Sequence, residues 1–468
     1  MGVLAGCQRM PRGPTIVLVV LDTVRRDFTG VAAGERGAAA LGLTPELDRI
    51  AAQGSVFASA WANAPWTVPS HASMFTGLLP GEHGCQTGNI RFAPPAPPVA
   101  ELLAHAGYRT AAFFSNPWLS DGTTGLLRGF EQRFEVPIGG LNQLQDADGD
   151  QGGRTVLALL ADWLEKSRTR RPAFIFVNFL EAHLPYDPPA DYRQLHLADL
   201  PPRDAVSIQW AHEYNAGLHP PQLVDWQRVR RLYGGDVNTD DRLLAGVVQL
   251  LQKAGLWDDC VLIVTSDHGE NLGEHDLLEH QFAVDEPLLA VPLVIRAPRL
   301  VARGLLPPGR IERPVTLLDL YATILQAAGV KASSPPPRSR SLLLGGAAAA
   351  ADAARPLIAE YDGPGPGLLG LLKSLNPKLD ESRLAPAWRT VRVGDWRLAE
   401  NSGGARELFD LRNDPGEQRD LAAAQPRRVA DLDSLLSAQT GGRALVAAGA
   451  DRLDEATRQR LRSLGYVR

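Results

Sequence analysis

Cysteine is scarce in this chain: three among 468 residues, Cys7, Cys85 and Cys260. Their odd number excludes a fully paired disulfide framework, and their spacing fits no thiolate metal centre. Cys260 opens the apolar run Cys260–Val264 and reads as a small buried hydrophobe. Long hydrophobic runs are missing as well. The longest, such as Ile16–Leu21, fall far short of the roughly 18 residues that cross a bilayer, so no transmembrane segment is expected. There is no excess of basic charge: 48 Lys and Arg face 53 Asp and Glu, a formal net charge of −5, and no basic cluster is interleaved with aromatics. Nucleic acid is therefore not an expected partner. What is present, 44% hydrophobic and 22% charged residues, is the composition of a globular protein. The length calls for a large domain followed by a smaller one.

The N-terminus carries two readings. Leu4-Ala5-Gly6-Cys7 has the form of a lipoprotein processing site, but the six residues before Cys7 contain no charged n-region and no apolar h-region. Either the precursor is longer and Cys7 carries a lipid anchor outside the cytoplasm, in the periplasm, or the match is chance and the protein is cytoplasmic.

From Thr15 onward short apolar runs alternate with helical patterns, which predicts an α/β domain: a mixed, mostly parallel central sheet flanked by helices. The expected strands are Thr15–Leu21, Thr110–Phe114, Ala173–Phe179, Cys260–Ser266 and Pro292–Ala297. Expected helices follow Thr44-Pro45, with Gly54 as the stop, and run near Val99–Ala106, Arg154–Lys166, Arg228–Ala254 and Val315–Ala328. Proline-rich connections lie at Ala93–Pro98 and Pro185–Arg203, the second long enough to act as a lid. The low-complexity stretch Lys331–Arg355 reads as a linker or insertion. The expected organisation is thus a catalytic α/β domain over 12–340, a linker over 341–355 and a C-terminal α+β subdomain with its tail over 356–468. In that last part Pro356–Tyr361, Thr390–Val393 and Trp396–Ala399 predict a small antiparallel sheet with a turn at Gly394-Asp395. Gly363–Ser382, rich in Gly and Pro, reads as a mobile segment.

Two strands end in residues that carry chemistry: Asp22-Thr23 after the first and Asp267-His268-Gly269 after the fourth. Strand carboxyl ends converge on one crevice in such sheets, so two carboxylates and an imidazole could meet there and hold a divalent cation. Taken singly, each is equally a turn former or helix cap. Between them Trp66–Gly77 reads as a loop entering a helix, with Pro69 in the first turn and Gly77 at the end. Thr67 then lies at a helix N-terminus, where unpaired N–H groups favour a phosphate or sulfate. The alternative is that Thr67 simply caps the helix.

The blocks Thr44–Gly54, Pro69-Ser70, Thr76-Gly77, Gly107-Tyr108, His183–Tyr186, Ser266–Glu270, Leu272–His275, Val291–Ile295 and Leu408–Glu417, in this order, resemble those of the sulfatases of the alkaline phosphatase superfamily. The tail Leu453–Val467 is similar to that of bacterial members. The resemblance implies an alkaline-phosphatase-like fold, an ester hydrolase and one divalent metal. The departures shape the implied mechanism. Sulfatases carry Cys-x-Pro-Ser/Ala-Arg, whose cysteine becomes formylglycine; here the positions read Thr67-Val68-Pro69-Ser70-His71, so no formylglycine is expected and His71 stands for the arginine. With one hydroxyl, a Thr67 ester must be released by water attacking the central atom, a route familiar for phosphoryl groups. The usual calcium pairs, Asp-Asp and Asp-Asn, read Asp22-Thr23 and Asp267-His268. An imidazole ligand moves the preference toward manganese or zinc, with calcium and magnesium still compatible.

The resemblance thus implies a metal held by Asp22, Asp267, His268 and the Thr67 hydroxyl. His183 matches a position that contacts the ester group, and His280 one that contacts ester oxygens or protonates the leaving group; His275 is a loop residue. The Lys and His that many sulfatases carry after Gly107-Tyr108 are missing, and Asn116 is the candidate neutral donor in their place. The expected substrate is a small anionic ester, on a glycan or lipid: a sulfate, a phosphodiester or a phosphonate. Two other classes stand beside the hydrolase: a transferase moving a phospho-head-group to an acceptor, and a homologue without catalysis that binds anionic glycans. Nothing in the sequence fixes the oligomeric state.

Overall fold

Ile16–Leu21, all apolar and rich in valine, forms strand β1, and none of its residues is more than 1% exposed. A strand buried on both faces belongs in the middle of a covered, parallel sheet, and its alternating side chains feed two separate cores. Ile16, Leu18 and Val20 enter one, and Val17, Val19 and Leu21 the other. The computed structural model describes residues 13–32, 42–137, 150–167, 171–201, 205–343 and 355–449.

Around β1 lie β2 (Ser55–Phe57), β3 (Arg109–Phe114), β4 (Gln132–Glu135), β5 (Ala173–Phe179), β6 (Val261–Thr265), β7 (Leu293–Arg296) and β8 (Gly309–Ile311). They form one eight-stranded sheet in the order β8-β2-β7-β6-β1-β5-β3-β4. Among the described strands of this sheet, β7 alone runs antiparallel to its neighbours. Helices Gly153–Lys166 and Trp226–Lys253 cover one face, and helices Thr67–Thr76, Val99–His105 and Asp319–Ala328 the other. All five expected strands form within a residue or two.

The second sheet is β9 (Leu357–Tyr361), β10 (Trp388–Val393), β11 (Trp396–Asn401) and β12 (Arg406–Asp410), antiparallel throughout and in that order. Helix Pro426–Gln439 closes it by setting Leu432 and Leu436 against Val391, Leu398 and Leu408. Three expectations need correction. Val315 and Thr316 do not start a helix; they pair with Ala60 and Trp61 as a short parallel ladder. The helix begins at Asp319, whose carboxylate accepts Thr316 N at 3.1 Å. Gly363–Ser382 is not a featureless mobile segment, because Pro366 opens a helix to Leu375 that buries Leu368 and Leu372. Pro185–Arg203 contains helix Ala190–His196. Cys260 is 1% exposed, as expected of a buried hydrophobe.

Of the low-complexity stretch, the part up to Leu343 packs along helix Asp319–Ala328: Ser339 Oγ donates to Leu318 O at 2.6 Å and Leu342 N to Thr323 Oγ1 at 2.8 Å. Arg355, the last residue of the stretch, donates to both oxygens of Asp319, at 2.6 and 3.0 Å. Residues 344–354, Cys7 and the tail from Leu453 lie outside the described residues. No described helix is long and apolar enough to cross a membrane.

A buried ion pair within the C-terminal part ties the second sheet to the loop before β7. Arg397 on β11, 1% exposed, pairs with Glu417 and donates to Val284 O at 3.1 Å, in that loop, and Glu417 also accepts Glu286 N at 2.9 Å. Removing one partner leaves the other as an uncompensated buried charge, which costs about 3–5 kcal/mol. Arg397→Met is therefore expected to lower Tm by several degrees, and adding Glu417→Gln to recover much of it. A single variant that melts like wild type would contradict the role given to this pair.

Candidate active site

Because β3, β5, β1 and β6 are adjacent and parallel, their carboxyl ends open side by side at one edge. Asp22 stands one residue past β1, Asn178 is the next-to-last residue of β5, Asn116 lies two residues past β3 and Asp267 two past β6. Strand order thus brings together residues nearly 250 positions apart. The contacts are direct. Asp22 Oδ2 accepts from Asn116 Nδ2 at 2.7 Å and from Asn178 Nδ2 at 3.1 Å. Asp267 Oδ1 accepts from Thr23 N at 3.3 Å and His268 N at 3.0 Å.

The remaining atoms of these side chains point at one another without satisfaction. His268 Nδ1 donates to Gly269 O at 2.9 Å, which leaves Nε2 unprotonated, and that nitrogen lies 3.3 Å from Asp267 Oδ2. Among the described residues Asp22 Oδ1, Asp267 Oδ2 and His268 Nε2 are buried with no hydrogen-bond partner. One ligand atom from each of the three residues lies within 4.8 Å of the others. Lone pairs converging in a dry pocket repel unless a cation sits among them, so the set fits the divalent metal that sulfatases bind. The same crowding perturbs titration. Burial, then the Asp22 charge, pushes the Asp267 carboxyl well above its ordinary range, and burial raises Asp22 to about 6 against the Asn116 and Asn178 hydrogen bonds. Burial and the neighbouring His280 hold His268 well below the usual imidazole range.

Thr67 is the first residue of helix Thr67–Thr76 and does not cap it: the cap position is Trp66, extended at φ −150° and ψ 166°. The Thr67 side chain is buried, with its hydroxyl 3.5 Å from Asn116 Nδ2. Asn116 Oδ1 accepts Trp118 N at 2.9 Å, so the amide is locked with its NH2 toward Asp22 and Thr67. The helix is pinned to the metal-ligand candidates by Ser70 Oγ, which donates to Asp267 O at 2.6 Å. His71 Nδ1 lies 2.9 Å from Thr67 O and 3.5 Å from Asp267 Oδ2, its ring edge-on to Phe176. Burial draws it down to about 4, so His71 is neutral and donates to Thr67 O.

His183 and His280 complete the group, with ring centroids 5.2 Å apart and His280 4.6 Å from His268. They differ in charge. Burial and His280 draw His183 down to about 3. Burial would lower His280 too, but Glu270, whose Oε1 lies 3.1 Å from His280 Nδ1, together with Glu279 and Asp22, holds it up to about 9. A neutral imidazole therefore sits beside an imidazolium at neutral pH. His275 is elsewhere, facing Asp285 and Glu417.

Asn178 and Glu270 are not among the expected site residues, and neither Thr23 nor Ser70 is expected in the role it has. Asn178 had a signal: it is the one polar side chain in an otherwise apolar, fully buried strand. Thr23 adopts φ 59°, a conformation costly for a β-branched residue; Tyr233 OH holds it by donating to Thr23 O at 2.7 Å. Glu270→Gln removes the group that most raises His280, so the alkaline limb of kcat/KM is expected to move toward neutral pH with a loss of about tenfold or more near pH 8. A limb that stays in place would show that Glu270 does not set the charge of His280.

A family profile described as Sulfatase matches residues 14–330. The uncharacterized sulfatase YidJ of Escherichia coli strain K12 is 23% identical over 454 residues, covering 87% of this chain and 83% of its own. Among solved structures, the phosphonate monoester hydrolase of Agrobacterium radiobacter superposes with a TM-score of 0.69 at 21% identity, covering 91% of this chain and 96% of its own. BT4656, solved in complex with its substrate D-glucosamine-2-N,6-O-disulfate, gives a TM-score of 0.70 at 18% identity, covering 93% and 99%. With a family match over more than half its length and the fold to go with it, the chain belongs to the sulfatase family, as a hydrolase acting on ester bonds.

Proposed function

We propose that the chain cleaves a sulfuric or phosphoric ester, a phosphodiester or phosphonate ester before a sulfate, by attack of the Thr67 hydroxyl and without formylglycine. One observation carries this reading: the only side chain that Thr67 offers is a buried hydroxyl at a helix N-terminus, beside Asn116 and the converging Asp22, Asp267 and His268. Those three, with the Thr67 hydroxyl, would hold one divalent ion, manganese or zinc by their nitrogen and oxygen donors. When bound, such an ion supplies positive charge that withdraws electron density from an ester oxygen and makes a nearby hydroxyl more acidic.

The chain's own residues account for the rest. Asn116, whose two N–H groups go to Asp22 and to the Thr67 oxygen, orients that oxygen for attack. Thr67 enters the step deprotonated, its hydroxyl proton already given up to solvent; the bond from its Oγ to phosphorus forms as the bond to the leaving oxygen breaks, and His280, protonated up to about 9, gives its proton to that oxygen. His280, now neutral, then takes a proton from the water that attacks phosphorus and releases Thr67. Neutral His183, whose one N–H is given to Leu184 O, keeps Nε2 as an acceptor beside the ester, for the hydroxyl of the leaving alcohol or the attacking water.

The test is a panel of aryl phosphodiester, phosphonate, phosphomonoester and sulfate esters, with intact-mass measurement of acid-quenched reactions. Turnover of the phosphorus esters with a phosphoryl-type adduct on the peptide containing Thr67 is expected. Turnover without any adduct there, or turnover of sulfate esters alone, would overturn the reading.

A further inference from the structure

We infer that Gln151, outside every block of the sulfatase resemblance, is a positioning residue that fixes His183 against the ester; the inference rests on the role proposed above for His183. After β5 the chain bends through Leu180–Leu184, and side chains from other elements take up the polar backbone groups of that bend. Gln151 Nε2 donates to two of its carbonyls at once, Glu181 O at 3.1 Å and His183 O at 2.7 Å. Asp240 Oδ2 accepts Ala182 N at 3.2 Å. The Glu181 carboxylate folds back, accepting Leu180 N at 3.0 Å and Gly153 N at 2.9 Å. Gln151, Glu181 and Asp240 are each at most 1% exposed, so no solvent substitutes for a lost bond.

The segment 151–153 therefore grips the bend twice, through the Gln151 amide and through the Gly153 N–H at the start of helix Gly153–Lys166. The His183 ring is tied to the same backbone, because its Nδ1 donates to Leu184 O at 2.7 Å. Whatever moves the His183 carbonyl moves the ring. A primary amide is the one uncharged side-chain group that offers two N–H bonds from a single nitrogen. Methionine matches the length of Gln151 without a donor, and glutamate would set negative oxygens against two carbonyls. A displacement of about 1 Å at a catalytic group lowers rate by about a hundredfold, so loss of the clamp should register in turnover.

The experiment is a double-mutant cycle of Gln151→Met and His183→Ala, read as kcat and KM on the ester turned over best, with Tm and bound metal measured in parallel. Gln151→Met is expected to lower kcat about tenfold to a hundredfold, with KM and metal content little changed, and to have almost no further effect once His183 is alanine. The imidazole 15N signal of His183 in labelled protein is expected to shift in Gln151→Met. Equal effects of Gln151→Met in both backgrounds would overturn the inference while leaving the role of His183 intact. A silent His183→Ala would instead overturn the role of His183, and the inference with it. Should Gln151→Met not fold, Gln151→Asn, which withdraws the amide by one methylene, enters the same cycle with the same criteria.

Discussion

Thr67→Ala is expected to abolish turnover, lowering kcat by about four orders of magnitude or more, the scale on which loss of a nucleophile is felt elsewhere. The chain should still fold. Thr67 lies at the start of its helix and makes no capping hydrogen bond through its side chain, and Ser70 Oγ keeps the first turn anchored to Asp267 O. Serine restores a hydroxyl at the same place, so Thr67→Ser should recover activity to within about tenfold to a hundredfold of wild type. Activity in Thr67→Ala equal to wild type on every ester would remove Thr67 from the mechanism. Adduct formation on the serine variant but not the alanine variant is the matching chemical readout.

Asp267→Asn is expected to act in opposite directions on function and on stability. The substitution takes one of three converging ligand atoms and its charge, so bound metal should fall from about one ion per chain toward none. Catalysis should fall by about a thousandfold or more, as charge stabilisation is lost. In protein stripped by a chelator the same change should raise Tm. Both acids bind protons more tightly folded than unfolded, Asp22 with its carboxyl raised from 3.8 to about 6 and Asp267 well above its ordinary range. The native state of the stripped protein therefore carries more protons than the unfolded one, and its stability falls as pH rises from about 3.8 through the raised values. Removing one acid should flatten that slope. A stripped Asp267→Asn protein that melts lower than stripped wild type would show that this carboxylate holds the fold by its hydrogen bonds, not at their expense.

The parts of the fold that could be read from the chain are those where one residue pattern decides the outcome. β1, β5 and β6 are runs of five to seven residues, apolar but for Asn178 and Thr265, buried on both sides and too short for a core helix. The edge strands β4 and β8, and β2 beside β8, are only three or four residues long, with side chains that suit a loop equally well; what makes them strands is the neighbour they pair with. β12 begins Arg406-Glu407, and the pairing of Arg406 with Glu400 across β11 turns charged residues into sheet formers. Helix Pro366–Leu375 was hidden by its glycines, which count against a helix until Leu368 and Leu372 find a core to enter.

The site divides in the same way. Asp22, Asp267 and His268 follow strands, so topology predicts their meeting, and Thr67 and Asn116 lie on turns that the local sequence announces. Glu270 and Gln151 carry no such mark, and Thr23, although it follows β1, carries none of its backbone role. Glu270 matters because His280 is beside it, Thr23 because of a backbone twist that Tyr233 holds, and Gln151 because two carbonyls of a distant bend face it. Each is defined by its neighbour, and a neighbour appears only in three dimensions.

The placement of Asp22, Asn116 and Asp267 one or two residues beyond their strands has a consequence for how this chain could have diverged. The ladder that fixes each strand's register ends before these positions, so a replacement there changes what is presented at the crevice without disturbing the hydrogen bonds that build the sheet. Side-chain types at these positions are then interchangeable parts on a constant frame. A replacement at Asp22, Asn116 or Asp267 would alter what the crevice offers in a single step while the architecture stayed as it was.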